Sequence, residues 1–263
     1  MTGAPLSDAQ VERFVSEGFV RLDDAFPRAL ADEGRAILWK ETGCDPDDRT
    51  TWTRPVVRLG GYAQPPFARA ASTPRICAAL DQLVGEGRWA PLLGLGTFPI
   101  RFPSEVSSGD DGWHIDVSFA LPEDDPNDFM GWRANVTSRG RALLMLFLFS
   151  DVGEDDAPTR IRVGSHVDLA RRLAPAGDRG MTLRELAAND FAESAERPVV
   201  FATGPAGTVY LCHPFLVHAA QRHRGTTPRF LAQPPVFPKA PLCIGEAAST
   251  PVERAIRDAL RTT

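Results

Sequence analysis

The reading of the fold turns on Gly112-Trp113-His114-Ile115-Asp116-Val117-Ser118-Phe119. His114 and Asp116 stand at i and i+2. On an extended strand residues two apart share a face, so the imidazole and the carboxylate point the same way while Ile115 and Val117 turn into packing. Residues 113 to 119 therefore read as a strand presenting two metal-ligating groups together. A third group comes from Leu216-Val217-His218-Ala219-Ala220, after the apolar run Val209-Tyr210-Leu211. Two imidazoles and one carboxylate make the 2-His-1-carboxylate set, which holds Fe(II) on one face and leaves positions open on the other. A His-x-Asp tripeptide alone occurs often by chance, so the weight rests on the combination.

Short strands surround this stretch. Residues 98–102, the apolar run 141–150, and residues 159–163, 198–201, 208–212 and 230–236 all have strand texture with turn residues between them. Helices come earlier. Ser7-Asp8-Ala9-Gln10 is a capping box that opens a helix with Val11, Phe14 and Val15 on one face, and Gly18 closes it before the strand Phe19 to Leu22. Further helices are expected over 29–40 and 74–84, with loop over 43–67. Residues 168–173 and 182–188 read as inserted helices, and Thr250-Pro251 opens a C-terminal one. The order predicts one domain over 1–263: a helical part at about 7–95, a β core at about 97–237 and a terminal helix at about 250–261. Its class is mainly β, a jelly-roll or cupin-like core with peripheral α-helices.

With 263 residues, the chain is long enough for a sizeable core. Its net charge of −5 argues against nucleic acid or an anionic membrane as main partner. No apolar stretch reaches membrane-spanning length. Cys44, Cys77, Cys212 and Cys243 form no CxxC pair, so neither a disulfide frame nor a cysteine zinc site is expected. Met1-Thr2-Gly3-Ala4-Pro5 lacks the basic and apolar regions of a secretory signal. A reduced, cytoplasmic setting is the expectation. Oligomeric state is not legible.

Three other histidines compete with His218. His213 lies five residues earlier, on the opposite face of a regular strand; His223 falls in a turn and reads as solvated; His166 follows Gly164-Ser165 and reads as a helix-start hydrogen bonder. The residues downstream of His218 favour it. His114-x-Asp116, His218 and then Arg229, with Leu146 to Val152 leading to Val163-Gly164-Ser165-His166, resemble the phytanoyl-CoA dioxygenase family over roughly residues 7 to 236. Val163 stands where the family's signature has Pro.

The resemblance implies a double-stranded β-helix, a jelly-roll relative, using Fe(II), 2-oxoglutarate and O2. It implies that His114, Asp116 and His218 bind iron and that Arg229 pairs with the distal carboxylate of 2-oxoglutarate. A guanidinium fork matches a carboxylate bidentately, and Gly225-Thr226-Thr227-Pro228 lets the chain reverse to bring Arg229 beside His218. Trp132 stands where a family member can set a Trp against the cosubstrate; it reads equally as a core aromatic. Arg101 reads as a pocket residue or a solvent-facing strand arginine. Asn135, Thr159 and Arg160 are further lining candidates. Ala220 departs from the family's hydroxyl at that position, and Thr159 could replace it. Asp116 argues against the halogenating branch, in which the acidic ligand is a small residue.

The implied activity is a dioxygenase acting on a small, partly apolar molecule, with hydroxylation leading and desaturation, epimerisation or ring formation as other outcomes. A non-catalytic binding protein on the same fold is the competing reading. The acidic stretch Glu123 to Asp128 reads as a solvated loop or as a lid.

Overall fold

The computed structural model describes residues 5–261, so the reading of Met1 to Ala4 lies outside the described residues. Ser7 and Gln10 exchange the hydrogen bonds of the predicted capping box and start α1 (Asp8–Glu17). Gly18, at φ +87°, ends it in the left-handed region before β1 (Phe19–Leu22). After α2 (Arg28–Thr42) the expected loop over 43–67 contains β2 (Val56–Leu59) and the start of α3 (Pro65–Ala71). Gly, Pro and Asp around Val56-Val57 hide that strand in the sequence; it exists through pairing with a distant partner, which overrides local propensity. The next helix, α4 (Pro74–Val84), buries Ile76, Ala79, Leu80 and Leu83, as its period predicts.

β3 (Phe98–Arg101) is the partner of β2. The strand expected over 113–119 is instead a segment with two isolated bridges, His114 to His218 and Phe119 to Arg133. Its rungs go to two different neighbours, so no ladder forms. Then come β4 (Arg133–Ala134), β5 (Leu143–Leu148), β6 (Arg160–Arg162), α5 (Ser165–Leu173), β7 (Met181–Thr182), α6 (Leu183–Ala187), β8 (Val199–Phe201), β9 (Val209–Cys212) and β10 (His218–Ala219). Thr182 and Glu185 form the second predicted capping box. The single strand expected over 230–236 is two, β11 (Leu231–Ala232) and β12 (Pro235–Val236), split at Pro234, which has no N–H for a ladder. The last helix is α7 (Pro251–Arg261).

Every strand pair is antiparallel. One sheet runs β1-β9-β5-β11 with β12 also on β5, and a second runs β10-β6-β8. β5 explains why the run 141–150 lacks alternation. Leu143, Met145 and Phe147 join the main core with residues of α1 to α4, while Leu144, Leu146 and Leu148 join Ile161 of β6 in a second cluster. A strand covered on both faces is apolar on both. The chain has many antiparallel strands, two of them, β1 and β2, ahead of the expected β core, and about a third of it is helical, more than a mainly β chain suggests. Among the described residues no helix is long and apolar enough to cross a membrane.

Candidate active site

Two cross-chain bridges build the site. His114 and His218 exchange backbone hydrogen bonds at 3.0 and 2.9 Å, and Arg101 and Arg229 do so at 3.1 and 2.8 Å. The first brings the imidazoles to 4.4 Å between ring centres. Asp116 completes the group: one ligand atom each from His114, Asp116 and His218 lies within 4.8 Å of the others. These three residues could hold a metal ion.

The donor set fits one. His114 Nδ1 lies 3.0 Å from the Gly112 carbonyl and His218 Nδ1 2.9 Å from the Leu216 carbonyl. A carbonyl only accepts, so both Nδ1 atoms carry the proton and both Nε2 lone pairs stay free, the tautomer a metal needs. Burial, with His114 beside it, pushes the His218 imidazole down and keeps it neutral. Burial pushes Asp116 up, but Arg141, His218 and His114 outweigh it, and the carboxyl stays below its ordinary range. Its Oδ2 is buried and, among the described residues, has the Arg141 guanidinium at 3.2 Å but no partner with hydrogen-bond geometry. A buried carboxylate so sparsely engaged keeps acceptor capacity that a cation could use.

His114, His218, Arg101, Arg229, Thr159 and Ala220 line one cavity of about 250 Å³. Arg229 is 1% exposed. Its guanidinium donates to the carbonyls of Ala157 and Pro99, its Nε has no partner, and it makes no ion pair among the described residues. Burial, and then Arg101, push its pKa down to about 9, so it is a cation at neutral pH. Arg101 differs. It donates to Ser108 Oγ at 2.7 Å and Asp110 at 2.8 Å, so its charge is already matched. Burial pushes the Asp110 carboxyl up, but Ser108, Arg101 and Arg58 hold it below its ordinary range.

Other expected residues fall elsewhere. Trp132 donates its indole N–H to the Pro126 carbonyl at 3.0 Å and does not line the cavity. Asn135 is taken up by Asp178 and Arg139 backbone groups. Arg160 donates to the Ala220 carbonyl and lies over the Trp113 ring. His223 is buried rather than solvated, bonding Thr227 and Gly225 backbone groups across its own turn. His166 starts α5 and donates to Val15, while His213 bonds the Val252 carbonyl; both sit away from the cavity. Most of the acidic stretch is exposed, as a solvated loop would be; Glu123 and Asp128 make exposed ion pairs with Arg179 and Arg184, and only Asp124, with Arg133, forms a buried one. Sequence reasoning misses Arg141, which reaches Asp116 at 3.2 Å. Its one visible signal is a charge at the head of an apolar run.

An open cluster of two imidazoles and a carboxylate beside a buried, unpaired arginine defines a class, the non-haem iron oxygenases that use 2-oxoglutarate. Residues 14–231 match the phytanoyl-CoA dioxygenase (PhyH) family, and the chain belongs to this family of Fe(II)/2-oxoglutarate-dependent dioxygenases. None of the curated proteins matches it by sequence. Solved structures do match in fold. HygX from Streptomyces hygroscopicus, with nickel and 2-oxoglutarate bound, is 19% identical over 89% of this chain and 88% of its own, with a TM-score of 0.60. SnoK, a non-heme alpha ketoglutarate dependent carbocyclase from nogalamycin biosynthesis, is 17% identical over 89% and 85%, with a TM-score of 0.59. EctD from S. alaskensis, with 2-oxoglutarate and 5-hydroxyectoine, is 22% identical over 90% and 78%, with a TM-score of 0.54. At such identities the likeness is one of fold.

Proposed function

We propose that this dioxygenase hydroxylates a small, partly apolar organic molecule, converting 2-oxoglutarate to succinate and CO2, with His114, Asp116 and His218 as iron ligands and Arg229 as the clamp on the cosubstrate's distal carboxylate. The observation that carries the reading is the convergence of the three ligand atoms beside an arginine with no charge partner. Iron with its cosubstrate supplies oxygen activation and removal of a substrate hydrogen. The chain's residues do the rest. Gly112 and Leu216 carbonyls fix both imidazole tautomers. Arg229, held by two backbone carbonyls, presents a pre-oriented fork, so little freedom is lost when a carboxylate docks. Thr159, which lines the same cavity as Ala220, is the candidate for the hydroxyl that Ala220 lacks.

The same proposal includes a double-stranded β-helix core, supported by the two antiparallel sheets that share β5's apolar side chains. It includes a single domain acting on a small molecule and not on nucleic acid. A reducing, cytoplasmic setting is supported by four free cysteines. A second outcome with the same cofactors is ring formation, the reaction for which a fold neighbour is named; desaturation and epimerisation are further alternatives.

Anaerobic titration with Fe(II) and then 2-oxoglutarate tests the assignment. A visible metal-to-ligand charge-transfer band is expected, and its half-saturation in 2-oxoglutarate should rise in Arg229→Ala. Bound iron without a band would return the chain to the binding-protein reading. Succinate assay with candidate substrates, followed by product mass, separates hydroxylation (a gain of one oxygen) from desaturation (a loss of two hydrogens).

A further inference from the structure

The three candidate ligand atoms converge, but their residues line two adjoining cavities. Both imidazoles line the cavity that holds Arg229, whereas Asp116 lines a second, larger cavity of about 500 Å³ with Arg141, Val117 and Phe129. Thr97 and Gln233 line both and form the threshold between them. A metal held by all three ligands therefore sits at the junction. The arginine-rich side suits the cosubstrate, which leaves the Asp116 side for the molecule to be oxidised.

That second cavity contains a cation with spare capacity. Arg141 approaches Asp116 through Nη1 at 3.2 Å, and its Nε is buried with no hydrogen-bond partner among the described residues. The contact with Asp116 uses only Nη1, and a guanidinium can hold a second carboxylate through its remaining N–H groups. The balance of charge agrees. Asp110 is shared by Arg101 and the half-exposed Arg58, so Fe(II), Arg141, Arg229 and these groups, set against Asp116 and a dianionic cosubstrate, leave an excess of positive charge that an anion would relieve. Val117, Phe129 and Pro235 give the rest of the wall an apolar character.

We infer that the cavity shared by Asp116 and Arg141 is the substrate chamber, and that Arg141 recognises the carboxylate of a small monoanionic substrate whose apolar body lies against Val117 and Phe129. This rests on the functional reading above. The test uses matched probes, phenylacetate and phenylacetamide, added anaerobically to protein loaded with Fe(II) and 2-oxoglutarate, with the visible band as readout. Phenylacetate should shift the band at a concentration roughly ten- to a hundredfold below that of the amide, the range expected for a hydrogen-bonded charge pair. Arg141→Met should abolish that preference. Arg141→Lys keeps the charge beside Asp116 without the fork; it should still form the band yet lose most of the preference. Equal response to acid and amide, no response to either, loss of the band through displacement of 2-oxoglutarate, or an unchanged preference in both variants would overturn the inference. Failure of the band to form in the parent protein would instead overturn the functional reading beneath it.

Discussion

Two aspartate–arginine pairs in this molecule use the same chemistry to opposite ends. Asp124 accepts from Arg133 through two nitrogens at 2.8 and 3.2 Å and from the Leu121 N–H at 2.9 Å. Those bonds, Arg133 first, hold its carboxyl down to about 2. Asp116 has one approach from Arg141 at 3.2 Å, and among the described residues Asp116 Oδ2 and Arg141 Nε lack hydrogen-bond partners. The first pair is saturated and fastens the acidic loop to β4. The second retains ligand capacity on both sides. A pair whose donors and acceptors are all used is a structural fastener; one left short in a cavity is poised for something not yet bound.

The sharpest way to break this contrast is to remove a ligand. His218→Ala should lower succinate formation to background and erase the iron-dependent band, while Asp124→Asn should leave both measurable. Normal turnover by His218→Ala would refute the triad. Arg229→Ala comes next. Losing one partner of a buried charge pair costs about 2–5 kcal/mol, so the 2-oxoglutarate concentration for half-saturation should rise by roughly thirtyfold or more with iron affinity retained. An unchanged requirement would move the clamp elsewhere.

Stability sharpens the fastener side. Glu253 is fully buried, pairs with Arg88, and accepts from the Cys243 N–H and from the Ser249 and Thr250 N–H groups just ahead of α7. Burial pushes its carboxyl up, but Arg88 and those N–H groups hold it down to about 2 against an ordinary 4.5. A carboxyl lowered on folding adds stability that is complete above its ordinary value and is lost as pH falls through the folded one. Acid denaturation should therefore weaken the protein between about pH 4.5 and 2, and Glu253→Gln should be less stable at pH 7 with a flatter profile across that window. Identical profiles would remove Glu253 from the account. The smallest expected effect is that of Asp124→Asn, a modest fall in melting temperature at neutral pH that shrinks as the parent approaches pH 2.

Some of this was written plainly in the chain. The caps at Ser7 and Thr182, the stop at Gly18, the period of α4 and the apolar run of β5 are local signals, and local hydrogen bonds or faces realise them. The i, i+2 spacing of His114 and Asp116 and the turn before Arg229 were equally legible. Their function as a group was not local, and only the combination of distant segments, matched to a family pattern, made it readable. β2 was hidden because its hydrogen-bond partner lies some forty residues away, at β3. The burial of His223 is not legible in the sequence because a turn can fold its own carbonyl and N–H groups around a ring and bury it.

The sequence by itself determined which residues could ligate a metal, which arginine comes after them, and the strand and helix texture that carries them, because composition and period act within a few residues. Only the tertiary structure decided that Arg101 is matched by Asp110 while Arg229 is not, that Trp132 lies outside the cavity, and that Arg141 stands beside Asp116. Pairing and desolvation depend on distances between segments far apart in the chain, and those distances are set by how the two sheets and the helices pack.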